Sequence, residues 1–456
     1  MPPPATYEIV QSCTSTWREV LHSNTETLGA EQPMTNGNNF ALATWTSFIA
    51  ESQIRALLKY KVKFYFAGGK PGVIPTDVFA KIMRDLGQLY AENPKLAVED
   101  LNYGPTGGQP WFLKTLAKRL HDVRGIHIDP ETEWDAVSIT NGSQQALYAL
   151  LDTLIDPGDV IITPSPSYLG FLVPAVKLGA RLITVPTDLD GIIPEYVEKA
   201  IRLSKMKFGK NPDMLYLVPD SDNPKGTTLP MSRRRALFDI CESHNILLVE
   251  DSAYAEIQFK KTPPAIKTLD KENQRVAYLG TTSKEAAVLR VGYSVLPPAI
   301  KEQVLKDKGY LDLCTSTLVQ RILNEYYSKY IDEAMRRGVP EYKKRYEAMA
   351  KAIDASFPAG DRTDPTGGFF IWWESEKKDF DSKKFMMDVA IPNDVLYVPG
   401  GPFYPISGYS LTPDGNDLVE SKAEPNTMRL GFSYVEADLI SEGIERLGQL
   451  LTKELG

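Results

Sequence analysis

Lys284 stands in the run Thr281-Thr282-Ser283-Lys284, with Arg290 six residues further on. Hydroxyls beside a lysine, with a guanidinium close by, make an anion site around an amine nucleophile. Asp251 ends the apolar run NILLVED and is followed by Ser252, Ala253 and Tyr254. A carboxylate at the end of a buried strand is costly unless a cation or strong donor meets it; one use is to hold a heterocyclic N–H in its protonated form. Asn141-Gly142-Ser143-Gln144 is a glycine turn opening a helix, where backbone N–H groups and a hydroxyl suit a phosphate. Asp222-Asn223-Pro224-Lys225-Gly226 is an Asn-Pro turn leaving a strand. Taken singly, each has a plainer explanation: a solvated lysine, a structural ion pair, an N-cap serine, an ordinary turn.

The elements around them change that balance. From about residue 100, short apolar runs alternate with amphipathic stretches: AVSIT (136–140), DVIITP (159–164), ARLITVP (180–186), MLYLVP (214–219), NILLVED (245–251), RVAYLG (275–280) and RVGYSV (290–295). The stretches 143–155, 168–178, 193–204 and 231–243 read as helices. Strands that are apolar throughout and separated by helices imply an α/β fold, with a mostly parallel sheet covered by helices on both faces. Ligands in such sheets collect at the carboxyl ends of the strands. Gly142-Ser143-Gln144, Tyr168, Asn223, Asp251 with Tyr254, and Ser283-Lys284 all fall at those ends. Asn223 precedes Asp251 by 28 residues and Asp251 precedes Lys284 by 33. Five unrelated coincidences at five strand ends of one sheet are improbable together.

Beyond residue 300 the pattern is mainly helical, notably 316–355, with strand-like GGFFIWWE (367–374), VLYVPG (395–400) and MRLGFS (428–433), then a last helix from about 436 to 454. This implies a smaller α+β domain built from both chain ends. The expected division is an arm or lid at 1–50, the first part of the small domain at 51–99, the large domain at 100–315 and the rest of the small domain at 316–456. IRALLKY reads as a helix, with Ile54, Leu57 and Leu58 on one face, and VKFYFAGGKPG as a strand and turn. The polar, turn-rich stretch 404–426 reads as a long surface loop.

Composition excludes several classes. Lys and Arg total 51 against 59 Asp and Glu, a net charge of −8 that argues against nonspecific nucleic-acid binding. Cys13, Cys241 and Cys314 are far apart and in no C-x-x-C pair, which disfavours a disulfide framework or a cysteine zinc site. His22, His121, His127 and His244 are equally scattered, so no metal site is expected. No run of 18 apolar residues occurs and the first residues lack a signal-peptide layout, so a cytoplasmic protein without membrane partners is expected.

The motifs resemble those of the class I/II aminotransferases, the fold-type I enzymes that use pyridoxal 5′-phosphate (PLP). The resemblance rests on FAGGKP (66–71), NYGPTGGQPWFLKTLAKRL (102–120), TNGSQQALYALLDTLIDPGDVIITPSPSY (140–168), DNPKG (222–226), EDSAY (250–254), TTSK (281–284) and MRLGFS (428–433). IRALLKY ahead of FAGGKP is typical of the kynurenine/2-aminoadipate and aromatic branch. The resemblance implies that Lys284 carries the cofactor as a Schiff base and moves the substrate proton. Asp251 would pair with the pyridinium nitrogen, Asn223 and Tyr254 would bond the phenolic oxygen, and Tyr168 would stack on the ring. Gly142, Ser143, Gln144, Thr281, Ser283 and Arg290 would hold the phosphate, with Tyr103 reaching it from a partner subunit of a homodimer. Arg429 would grip the substrate α-carboxylate bidentately, with Asn223 and Gly69 also at the substrate. The implied reaction moves an amino group from an L-amino acid, aromatic or 2-aminoadipate-like, to a 2-oxo acid such as 2-oxoglutarate. Two alternatives share these motifs: a lyase, decarboxylase or oxidase on the same scaffold, and, more distantly, the effector domain of a regulator.

Three departures stand out. SKEAAVLRVGY lacks a Pro-Gly pair, looks one residue short between Lys284 and Arg290, and puts Glu285 beside the lysine. Lys225 replaces the common threonine in Asn-Pro-x-Gly. The first fifty residues have no counterpart; residues 20–50 read as a lid or a disordered arm.

Overall fold

The structure, a computed structural model, describes residues 42–49, 51 and 53–456. Its centre is a large sheet in which Arg181–Asp188, Val160–Ser165, Met214–Leu217, Leu247–Asp251 and Val276–Thr281 run parallel, in that order. Gly292–Val295 follows antiparallel, and Val137–Thr140 closes the edge beyond it.

Period-two alternation explains why these runs are apolar throughout. Ile161, Met214, Tyr216, Val249 and Ala277 pack under the helices Ser143–Leu154 and Leu169–Lys177. Their neighbours Ile162, Leu215, Leu217, Leu248 and Val276 face the helices Pro194–Phe208 and Met231–Ser243. The expected mostly parallel, doubly covered sheet is therefore present. Two further helices, Thr76–Glu92 and Pro110–Arg124, pack with Thr317–Lys329 over the Val137–Thr140 end.

The second, smaller sheet is antiparallel: Gly360–Arg362, Phe370–Ser375, Thr427–Gly431 and Val398–Pro399. Phe64–Tyr65 pairs with Val395–Leu396, so an early segment completes a late one. Helices Ile331–Ser356 and Ala437–Leu455 pack on it through Met349, Ile353, Ile444 and Leu447.

Several local expectations change. The stretch 404–426 is not a plain loop, because Tyr409–Leu411 and Leu418–Glu420 form a hairpin that adds to the large sheet beside Arg181–Asp188. Leu411 and Leu418 are buried, Ser410 bonds Thr184 at 2.9 Å, and Asp414 ties the turn. The helix expected around Ile54 is a single turn, Gln53–Ala56, that tightens to a 3-10 turn at Leu57–Lys59, leaving Leu58 half exposed. The helical stretch 316–355 breaks at Tyr330. The arm or lid expected at 1–50 lies outside the described residues, save 42–49; there Trp45 lies under Lys177 Nζ at 4.6 Å.

Candidate active site

A cavity of about 480 Å³ opens at the carboxyl ends of the parallel strands. Ser143, Gln144, Tyr168, Asn223, Asp251, Tyr254, Thr281, Ser283, Lys284, Arg290, Gly69 and Arg429 all border it, so twelve of the fourteen expected residues converge. Gly142 sits just behind, and Tyr103 lies elsewhere, 81% exposed.

Asp251 ends its strand 3% exposed. Tyr216 donates to its Oδ2 at 2.9 Å, whereas Oδ1 has no partner among the described residues. Burial pushes the carboxyl up to about 6, against the opposing pull of the Tyr216 bond and Lys284. A buried, unsatisfied oxygen aimed at a cavity calls for a ring N–H. Lys284 lies with Nζ 4.6 Å from the Tyr254 ring centre and 5.7 Å from that of Phe369. Among the described residues its nitrogen makes no hydrogen bond or ion pair, and burial draws it down to about 8. An amine near neutrality at that value is a usable nucleophile and base.

A cradle suited to a phosphate forms where the helix Ser143–Leu154 begins. Gly142 takes φ 77°, and a Cβ there would overlap the Arg290 guanidinium, so only glycine lets the two approach. Arg290 Nη1 donates to Ser283 Oγ at 2.9 Å, and Thr281 Oγ1 to the same oxygen at 3.0 Å. The short spacing is accommodated by a 3-10 turn, Ala287–Leu289, after which Arg290 adopts φ 51° and swings back. Gln144 accepts from Tyr168 at 3.0 Å, fixing the phenol beside the cavity; burial first, then Asp251, pushes that phenol up to about 12.

Arg429 is 2% exposed, lies 4.0 Å from the Phe370 ring centre, and has no carboxylate partner among the described residues. Nη1 donates to Asn223 Oδ1 at 2.8 Å and Nη2 to Ala67 O at 3.0 Å, while Nε has no acceptor among the described residues. Burial lowers it to about 10. A buried guanidinium paired only with an amide and a backbone carbonyl is suited to bind a carboxylate. Gly69 stands opposite, where a Cβ would come 2.9 Å from Phe370 Cζ.

The sequence reading passed over Phe370, Tyr65, Arg55 and Lys70, which complete the cavity wall. An aromatic in a strand looks like core, and a lysine in a loop or an arginine on a short helical turn looks solvated. Lys225 faces a different cavity, its Nζ donating to Thr187 at 3.0 Å, so the altered turn leaves Asn223 in place. Among the described residues there is no metal-ligating cluster and no helix long and apolar enough to cross a membrane.

The residues fit PLP: an unsatisfied carboxylate oxygen for its ring nitrogen, an amine for its aldehyde and a hydroxyl–guanidinium cradle for its phosphate. Residues 80–408 match the family of aminotransferase class I and II. The aromatic-amino-acid aminotransferase 1 of Thermococcus litoralis is 31% identical over 89% of this chain and 92% of its own. The 2-aminoadipate transaminase of Thermus thermophilus is 30% identical over 88% of this chain and 94% of its own. The solved Pyrococcus horikoshii kynurenine aminotransferase, in complex with PMP, superposes with a TM-score of 0.79 at 32% identity, covering 91% of this chain and 98% of that one. With a catalytic architecture and a whole-length likeness that agree, this chain belongs to the class I and II aminotransferases and is a PLP-dependent transaminase.

Proposed function

We propose that this transaminase takes L-amino acids with an aromatic or 2-aminoadipate-like side chain as donors and 2-oxo acids such as 2-oxoglutarate as acceptors. The observation that carries this reading is Arg429: a buried guanidinium, short of an anion, held by Asn223 at the floor of the cavity that Lys284 enters. It would bind the α-carboxylate common to amino and 2-oxo acids, and its two bonds fix the fork's orientation. Beyond it the wall is apolar and aromatic at Ile54, Leu58, Tyr65 and Phe370, with Arg55 and Lys70 also lining it. That combination suits a flat apolar side chain or one ending in a second carboxylate.

Bound in this site, PLP supplies the electron-withdrawing ring that lets the amino acid's Cα–H bond be broken and its nitrogen change owner. Asp251 would hold the ring nitrogen protonated through Oδ1. Tyr254 and Asn223 would hydrogen-bond the phenolic oxygen. Lys284 Nζ would take the proton from Cα and return it to the cofactor side, moving one proton across one face. Ser143, Gln144, Thr281, Ser283 and Arg290, with Gly142 allowing the approach, would anchor the phosphate. Tyr103 would do so across a homodimer; Tyr103, Leu101, Tyr310 and Leu313 are exposed apolar side chains that support a partner surface. A cytoplasmic setting fits the same reading.

The test is a panel of amino acids added singly to the PLP-loaded protein, with the visible band followed. Aromatic amino acids and 2-aminoadipate should bleach it to the amino form stably, and 2-oxoglutarate should restore it. A donor panel in which only small aliphatic amino acids react would overturn the substrate assignment.

A further inference from the structure

Glu285 follows the Schiff-base lysine directly and is 1% exposed, yet among the described residues neither of its carboxyl oxygens has a hydrogen-bond partner, only its own backbone N–H lying close enough to act on it. The nearest cations and anions do not compensate it. Arg119, from the helix Pro110–Arg124, is committed to Glu256 by bonds of 2.6 Å and 3.1 Å and to Asp332 at 3.0 Å. Glu256 adds repulsion. The other titratable groups that feel Glu285 are phenols: Tyr293 of the strand Gly292–Val295, Tyr326 and Tyr327 of the helix Thr317–Lys329, and Tyr342 of the helix Ile331–Ser356. The hydroxyls of Tyr326 and Tyr327 are themselves without partners among the described residues. An acid so placed stays protonated, because ionising it would leave a bare charge in an apolar shell. Burial pushes it up to about 8, beside a lysine drawn down to about 8.

Resting on the assignment of Lys284 as the cofactor lysine, we propose that Glu285 is a positioning residue whose ionisation state governs how tightly the Lys284 nitrogen holds its proton. As a neutral acid it leaves that nitrogen free to give the proton up. Once ionised, with its own proton lost to solvent, it holds the lysine-side proton in place, so the two groups titrate as a pair rather than singly. Asp251 and the cations Arg290 and Arg429 also act on Lys284, but each is assigned to the ring nitrogen, the phosphate or the substrate carboxylate. Glu285 is left with no ligand of its own.

The experiment is a pH titration of the visible band of the PLP-loaded enzyme, wild type against Glu285→Gln. Removing the carboxylate should lower the midpoint by roughly one pH unit, the scale expected of neighbouring buried charges. The wild-type curve should need two proton steps and the variant only one. Equal midpoints, or a single step in wild type, overturn the proposal; the wild-type curve alone decides it if the variant does not fold. A second reading uses the apoprotein. An acid raised above its ordinary value stabilises the fold fully at low pH and loses that contribution as pH climbs through about 8. The unfolding midpoint of Glu285→Gln should therefore gain on wild type as pH rises to about 9, and parallel curves would count against the proposal. If no band forms when PLP is added to wild type, the assignment of Lys284 falls instead. A band that forms and titrates identically in both proteins sinks Glu285's role alone.

Discussion

Arg429, buried, and Lys284, partly buried, both lack a carboxylate partner among the described residues, and the two respond differently to change. Arg429→Lys keeps the charge but loses the fork, and the shorter reach breaks the bonds to Asn223 Oδ1 and Ala67 O. The expected cost is about 2–3 kcal/mol, a roughly 30- to 150-fold fall in kcat/KM for every amino and 2-oxo acid. A simple amine lacking the α-carboxylate should show little difference between the two proteins, and steady-state kinetics on both classes checks it. For Lys284 the variable is pH. Its lowered value means that the amine becomes free as pH rises through about 8. Cofactor capture by the apoprotein should speed up from about pH 7 to 9 and then level off, which rapid mixing would follow by the visible band. In Lys284→Ala the lysine-dependent band should be absent. Lys284 was legible in the sequence because chemistry concentrates at strand ends, whereas Arg429, in the middle of Thr427–Gly431, was legible only through the resemblance of MRLGFS. Phe370 and Arg55 were not, since nothing local separates a cavity aromatic from a core one or a site arginine from a solvated one.

At the scale of elements, two devices hold the constellation. The loop carrying Asn223 starts at Asp220, which is fully buried and ion-paired to Arg124 at 2.8 Å and Arg234 at 2.5 Å. Asp220→Asn leaves two buried guanidinium groups without their carboxylate and should cost about 3–5 kcal/mol in urea unfolding, with Asn223 and the substrate site loosened alongside. Gly142 is the other device. Gly142→Ala would strain a φ of 77° and collide with Arg290, so PLP should bind more weakly while the helix behind it stays folded. Equilibrium dialysis and circular dichroism separate those effects. The parallel strands were readable because sheets covered on both faces need unbroken apolar runs. The hairpin Tyr409–Leu411/Leu418–Glu420 was not, because an edge pair needs only Leu411 and Leu418 buried and otherwise has the composition of a loop. Arg290 shows the complementary limit: spacing counted along the chain suggested a short reach, and one residue at positive φ restores it.

At the scale of the molecule, the cradle extends toward the surface. Asp312 accepts hydrogen bonds from Asn141 and, at 2.7 Å, from Gln145, which ties the turn at 141–144 to the segment bearing the exposed Tyr310 and Leu313. Gly104 approaches Thr317 on the same side, and Tyr103 stands next to it. A site whose own chain leaves Tyr103 outside and exposed predicts that two chains complete each other. Tyr103→Phe should weaken PLP binding without loss of fold, and sedimentation should give a dimer. The decisive measurement mixes subunits. When Lys284→Ala and Tyr103→Phe chains are refolded together, each mixed pair holds one site with both changes and one with neither. The second site should regain full PLP affinity and activity. If Tyr103 served its own subunit, every site in the mixture would keep one change, and co-refolding would restore nothing.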